Sequence, residues 1–239
     1  MYWRSNRAAC ILLVLAGLSA PAFGCSSATT EDGFHQESSM TRAAAAGPTA
    51  AQLLEKVQNC NQVSNGTYKT DTETAPAIPV CDKNGAVFWT ADMDIDCDGQ
   101  TTDRCNANTD PWYQSDTSFS QSDGRPLIAD QLPYVVIPSP SAIWNYQNFE
   151  IRGGAVVAVI YNNQVLYAVF GDTGPQDIIG EASYAAAEGL GINPNPASGG
   201  TDSGVTYIVF KNSSVSPIES HERATELGQQ LAQQFIDNN

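Results

Sequence analysis

Two groupings of carboxylates in this chain could do chemistry. One is Phe170-Gly171-Asp172-Thr173-Gly174, followed shortly by Gly180-Glu181-Ala182-Ser183. Asp172 ends an apolar run and enters a glycine-rich turn. Glu181 follows a second glycine, at the expected start of a short helix over 182–190. A loop of a few residues therefore brings two carboxylates towards one sheet edge. Hydrolysis of a glycosidic bond needs such a pair: one group holds a proton near neutrality, and the other stays ionised to activate water or to attack. Burial and a like-charged neighbour can raise one pKa to suit. A plain structural role fits the pattern equally well, with Asp172 closing a turn and Glu181 complementing a helix dipole.

The other grouping is Asp92-Met93-Asp94-Ile95-Asp96-Cys97-Asp98-Gly99. Asp94, Asp96, Asp98 and Gly99 match the opening of a calcium-binding loop, and Asp103 could be a later ligand. Position twelve of that loop would be Cys105 rather than glutamate, and no helix-loop-helix pattern flanks it. Carboxylates alternating along an extended segment could instead line a cleft for a cationic ligand. Local pattern alone ranks a solvated acidic turn first, calcium second and the cleft third. Histidine chemistry is constrained more sharply. The chain has only His35 and His221, so a three-histidine metal site is impossible. Neither lies in a promising context for a Ser-His-Asp arrangement.

The elements that must position these groups are mainly strands. Runs rich in β-branched and aromatic residues predict strands at 86–90, 134–137, 155–161, 164–170 and 205–210. Asn162-Asn163 suits a two-residue hairpin, since asparagine tolerates positive φ. Those two hairpin runs are apolar on both faces, as in a closed or covered sheet. Thr49-Ala50-Ala51-Gln52 reads as a capping box for a short helix, and Ser216-Pro217-Ile218-Glu219 as a second one. After the latter, Ala224, Leu227, Leu231 and Phe235 form a helical stripe, and His221 is assigned to its solvated face. No internal repeat is visible. The expected architecture is one mainly β domain with a few peripheral helices.

Composition agrees with a folded, exported, acidic protein. The 239 residues are 42% hydrophobic and only 15% charged, which is globular composition. The formal charge of −15 excludes a nucleic-acid backbone as partner by like-charge repulsion and suits a polycation. Arg4 and Arg7 precede the apolar run 8–20, as in a signal peptide over residues 1–24. Ala22-Phe23-Gly24-Cys25 resembles a lipobox, which makes Cys25 the expected lipidation site, slightly favoured over free secretion. Residues 25–48 read as a flexible tether and 49–239 as the functional domain. Cys60, Cys81, Cys97 and Cys105 remain. Four cysteines in an exported domain imply two disulfides, and Cys60–Cys81 with Cys97–Cys105 closes the shortest loops. A zinc site fits worse, because there is no CxxC spacing and no nearby histidine.

The segments Asp92–Gly99, Pro133–Val136, Ala155–Tyr161 with its hairpin, Gly171–Gly174 and Gly180–Ser183 occur in this order. Together they resemble the chitosanases of glycoside hydrolase family 75, best known from secreted fungal enzymes. The resemblance runs from about Cys60 to Phe210. It implies that Asp172 and Glu181 are the catalytic carboxylates of an inverting, endo-acting enzyme. Asp94, Asp96, Asp98 and Thr173 become expected substrate contacts. Trp89, Tyr134 and Tyr184 are candidate sugar-stacking residues, although a core or packing role is expected first for each. The loop between the pair is shorter than in fungal members. Chitosan, a cationic polysaccharide, is the implied partner, the chain is expected to be a monomer, and no cofactor or metal is implied. A non-catalytic glycan-binding lipoprotein and a calcium-stabilised surface module are the rival readings. A β-barrel of the double-psi kind is expected by analogy.

Overall fold

The β-branched runs do become strands, and the two flanking the carboxylates extend beyond the apolar stretches that predict them. The computed structural model of the protein describes residues 47–239. The expected signal peptide, the lipidation site Cys25, and the tether up to residue 46 lie outside the described residues. Among the described residues eight strands form: β1 (Asn61–Gln62), β2 (Cys81–Lys83), β3 (Ala86–Asp96), β4 (Tyr134–Pro138), β5 (Val156–Tyr161), β6 (Gln164–Gly174), β7 (Glu181–Ser183) and β8 (Thr201–Phe210). Three α-helices accompany them: α1 (Ala50–Lys56), α2 (Tyr184–Gly189) and α3 (His221–Asn238).

Strands pair in the order β3-β7-β4-β6-β5-β8, and β8 returns to pair with β3. Six strands thus close into a barrel, while β1 and β2 extend one edge. The pairs β3–β7 and β4–β6 are parallel and the other four barrel pairs antiparallel. Exchanging β3, β4 and β5 with β6, β7 and β8 leaves this pattern unchanged. Parallel β3–β7 maps onto β6–β4, and antiparallel β3–β8 onto β6–β5, while β4–β7 and β5–β8 map onto themselves. The barrel is therefore two interlocked halves related by a pseudo-two-fold. That is the double-psi-like arrangement expected, although no repeat is visible in the sequence.

The two faces of the strands have different partners. Val87, Trp89, Met93, Val135, Ile137, Val157, Phe170, Ala182 and Tyr207 belong to one cluster drawn from all six strands, which is the barrel interior. The alternate residues, including Phe88, Val136, Ala158, Tyr167 and Phe210, belong to an outer cluster that also takes in Leu53 of α1 and Ala224, Ala232 and Phe235 of α3. Gly228 lets α3 approach β6 closely, since a Cβ there would stand 2.3 Å from Cδ1 of Tyr167. The β5–β6 hairpin turns on Asn162 and Asn163, with φ of 44° and 63°, as asparagine chemistry predicts.

The Thr49 capping box forms as read. The second one does not. Ser220, not Ser216, caps α3 by accepting from the Arg223 N–H, so the helix starts later than Ser216-Pro217 implies. The reason is that Glu219 is taken by another partner: its carboxylate accepts from the backbone N–H and hydroxyl of Ser122. Both expected disulfides, Cys60–Cys81 and Cys97–Cys105, are present. They fit an exported chain matured in an oxidising compartment. Among the described residues no helix is long and apolar enough to cross a membrane.

Candidate active site

Glu181 does not open a helix. It begins β7, a three-residue strand wedged between β3 and β4, and the helix after it starts only at Tyr184. Ser183 explains the short strand. Its buried hydroxyl donates to the Leu132 carbonyl and accepts from the N–H groups of Tyr134 and Ala186. One side chain thus caps α2 and ties β7 to the segment leading into β4. Gly180, just before Glu181, has φ +120° and a Cβ there would lie 1.9 Å from Oδ1 of Asp92. Only glycine fits that approach.

Cross-strand register places the carboxylates in a row. Asp94 of β3 pairs with Glu181 of β7, and Glu181 pairs with Val136 of β4. Val136 pairs in turn with Asp172 of β6, just past a register shift. Paired residues point to the same side of a sheet, so Asp94, Glu181 and Asp172 share the outer face of the barrel. Gly174, two residues beyond Asp172, leaves space there, because a Cβ on it would stand 3.3 Å from Oε2 of Glu181. Asp96 lies on the same face, paired with Ser183. The segment 92–96 is therefore a strand with Asp96 only 5% exposed, not a solvated turn. Thr173 pairs with Ile137 on the opposite pleat, and its hydroxyl is hydrogen-bonded to that of Ser118 at 2.6 Å.

The long excursion between β3 and β4 folds back over this row. Its base is closed by Cys97–Cys105. Gln114 N–H donates to Oδ1 of Asp98 at 2.6 Å, and Asp98 N–H donates to Oδ1 of Asp96 at 2.5 Å. Farther along, Ser118 N–H donates to Oδ1 of Asp172 at 2.8 Å, and Thr173 N–H donates to the same oxygen at 2.7 Å. Asp110, also buried, is close enough to bear on both Glu181 and Asp98.

The environments of the two expected catalytic groups differ. Asp172 is buried, which raises its pKa, but the donors from Ser118 and Thr173 oppose that by stabilising the ionised form. Among the described residues, no donor hydrogen-bonds the Glu181 carboxylate. Burial, then the charges of Asp94, Asp98, Asp172 and Asp110, push it up to about 8. Asp96 is likewise raised well above the ordinary range, by burial first and then by Glu181, Asp98 and Asp172. Asp98 is raised to about 6, again chiefly by burial. The geometry thus offers a proton-holding carboxyl and an ionised carboxylate on one face. Across two strand spacings, their backbones are about 9–10 Å apart.

Sequence reasoning missed Ser118, Asp110 and Gln114, and it picked out Ser183 only as part of the Gly180–Ser183 motif, with no role of its own. Only Asp110-Pro111 carried a turn signal in the sequence. Of the three aromatic candidates, Trp89 is in the barrel core stacked on Tyr207 and the half-buried Tyr184 lies under Arg104, while Tyr134 lies beneath the carboxylate row, fully buried, with its hydroxyl donating to the Asp98 carbonyl; Trp89 and Tyr134 are thus packing residues, with no face open to a sugar. Asp103 is exposed. Among the described residues, no three metal-ligating side chains converge on a common centre.

Residues 93–238 match the family model described as fungal chitosanase of glycosyl hydrolase group 75. The chain belongs to this family. Endo-chitosanase C of Aspergillus oryzae is 38% identical over 134 residues, covering 53% of this chain and 32% of that protein. An endo-chitosanase of the same species is 31% identical over 150 residues, covering 58% of this chain and 60% of the relative. That of Aspergillus fumigatus is 31% identical over 152 residues, covering 57% and 63%. The chain thus spans between a third and two thirds of the length of these relatives. A solved structure, the Streptomyces papain inhibitor (SPI), overlaps 52% of this chain and 94% of its own at a TM-score of 0.32 and 19% identity. The family match includes Asp94, Asp96, Asp98, Asp172 and Glu181, so the carboxylate row lies inside the shared region.

Proposed function

We propose that this chain is an endo-acting chitosanase that cleaves β-1,4 glucosamine linkages, with Glu181 as general acid and Asp172 as general base. One observation carries the assignment: the two carboxyls share a face, but only Asp172 is held by backbone N–H donors. A carboxylate stabilised by donors is suited to accept a proton from water. A buried carboxyl among negative neighbours is suited to give one to the departing sugar. The separation of two strands supports an inverting reaction, in which a water molecule stands between base and anomeric carbon. The exposed Asp94 and the half-buried Asp98, on either side of the buried Asp96, offer carboxylates to the ammonium groups of the polymer, while Thr173 is engaged with Ser118. The net charge of −15 draws such a polycation from a distance.

Product analysis on partly acetylated chitosan tests this reading. The intact protein should release short oligomers of inverted anomeric configuration, and Asp172→Asn should release almost none. Binding without cleavage by the intact protein would instead favour a glycan-binding role. The chain acts as a monomer and is anchored through a lipid on Cys25. Cys25→Ala should then move it from the membrane fraction into the medium. Wild-type protein found wholly soluble would refute the anchor.

A further inference from the structure

Among the described residues, the tryptophans are buried with one conspicuous exception. Trp89 and Trp144 are core residues, whereas Trp112 is 86% exposed. Its backbone is nevertheless held on both sides by groups of the acidic site. Trp112 N–H donates to Oδ1 of the buried Asp110 at 2.8 Å, and Tyr113 N–H donates to the Asp110 carbonyl at 3.3 Å. Two residues on, Gln114 N–H holds Oδ1 of Asp98, and the Gln114 carbonyl accepts from Gly99 N–H at 2.9 Å. The Tyr113 hydroxyl donates to the Gly99 carbonyl at 2.7 Å. The segment 110–114 is thus stitched to the end of the carboxylate row, and the indole is its large exposed apolar group.

Exposing an indole on a fixed backbone forgoes its burial, and among the described residues neither a side-chain hydrogen bond nor an aromatic contact holds it. We propose that Trp112 is the platform on which a protonated glucosamine unit of the substrate stacks. Its face meets the C–H bonds of the sugar, and the adjacent Asp98 and Asp110 favour the ammonium. An aromatic face attracts a cation directly, so a glucosamine ring is matched by both parts of this surface. This inference rests on the chitosanase reading and specifies where a sugar beyond the cleavage point is held. The role is one of binding and positioning, since the indole has no proton-transfer part.

The test uses the full chain and fully deacetylated glucosamine oligomers of increasing length. Trp112→Ala should raise KM for long oligomers by about 2- to 5-fold, with kcat within twofold, as expected for the loss of one exposed cation–aromatic contact. Calorimetry in a Glu181→Gln background should show the same loss of affinity. Trp112→Phe should recover most of it, and Tm should be unchanged in both variants. An active wild type with unaltered KM and affinity in Trp112→Ala would overturn the proposal. So would an affinity loss accompanied by a lowered Tm, which would make the residue structural. A wild type that neither cleaves nor binds these oligomers would overturn the chitosanase reading itself, and this proposal with it.

Discussion

Glu181 and Asp172 flank a single residue from opposite sides: each is a cross-strand partner of Val136, one in β7 and the other in β6. Val136 is buried and apolar, so it spaces the carboxyls without bridging them. The pair is therefore held by three strands of a closed barrel rather than by the loop that joins them in sequence.

Replacing either carboxyl by its amide should stop catalysis and spare the fold. Glu181→Gln and Asp172→Asn should each lower turnover by about 10²–10⁴-fold, the usual contribution of a positioned acid or base. In Asp172→Asn the side-chain amide keeps an oxygen that can accept from the Ser118 and Thr173 N–H groups. Turnover on chitosan, with Tm as the control, checks this. Near-wild-type turnover in either variant would remove that residue from the mechanism.

The pH profile of kcat/KM should be bell-shaped, with the alkaline limb set by loss of the Glu181 proton near pH 8. Burial is the largest cause of that raised value, and Asp94 is the largest charge contribution. Removing the negative charge in Asp94→Asn makes ionised Glu181 less unfavourable. Its pKa should fall, and the alkaline limb should move to lower pH. A limb that stays in place or moves upward would contradict the assignment of Glu181 as the acid.

Stability should decline as the site ionises. The carboxyls of Asp96, Asp98, Asp172 and Glu181 all titrate above their ordinary range. Between an unfolded value of about 4 and the folded value, the native state binds more protons than the unfolded chain. These groups are thus least costly to the fold below about pH 4, and Tm should fall as pH rises through 6 towards 8. Asp96→Asn keeps an oxygen for the Asp98 N–H but cannot ionise. Its Tm relative to wild type should be higher at pH 8 than at pH 5, and calorimetry at the two values decides it.

Opening the Cys97–Cys105 ring should loosen the excursion that carries Asp98, Asp110 and Gln114. The bridged positions are 8 residues apart, and a ring of that size contributes about 2–3 kcal/mol through the unfolded chain. Cys97→Ser with Cys105→Ser should lower Tm accordingly and lower turnover as well, since the ring forms the base of the site. Unchanged turnover with lowered Tm would show that the excursion is positioned without the bridge.

Much of this protein was legible in its residues because the relevant signals are local. Hydrophobic runs marked five of the barrel strands, paired asparagines marked the hairpin, and short spacings marked both disulfides. The family resemblance singled out Asp172 and Glu181. Other features depended on contacts between distant segments. β7 is three residues long, and Glu181 belongs to it only because β3 and β4 offer hydrogen-bond partners on both sides; locally, the same residues read as a helix start. Asp96 looked solvated because its alternation with apolar neighbours is short, yet Asp98, Glu181 and the returning excursion enclose it. Ser118 and Gln114 carry no local signal at all, since their part is to lend backbone N–H groups to carboxylates. The pseudo-two-fold is invisible to residue comparison because it is a symmetry of strand pairing, which hydrogen bonds between backbones satisfy with quite different side chains.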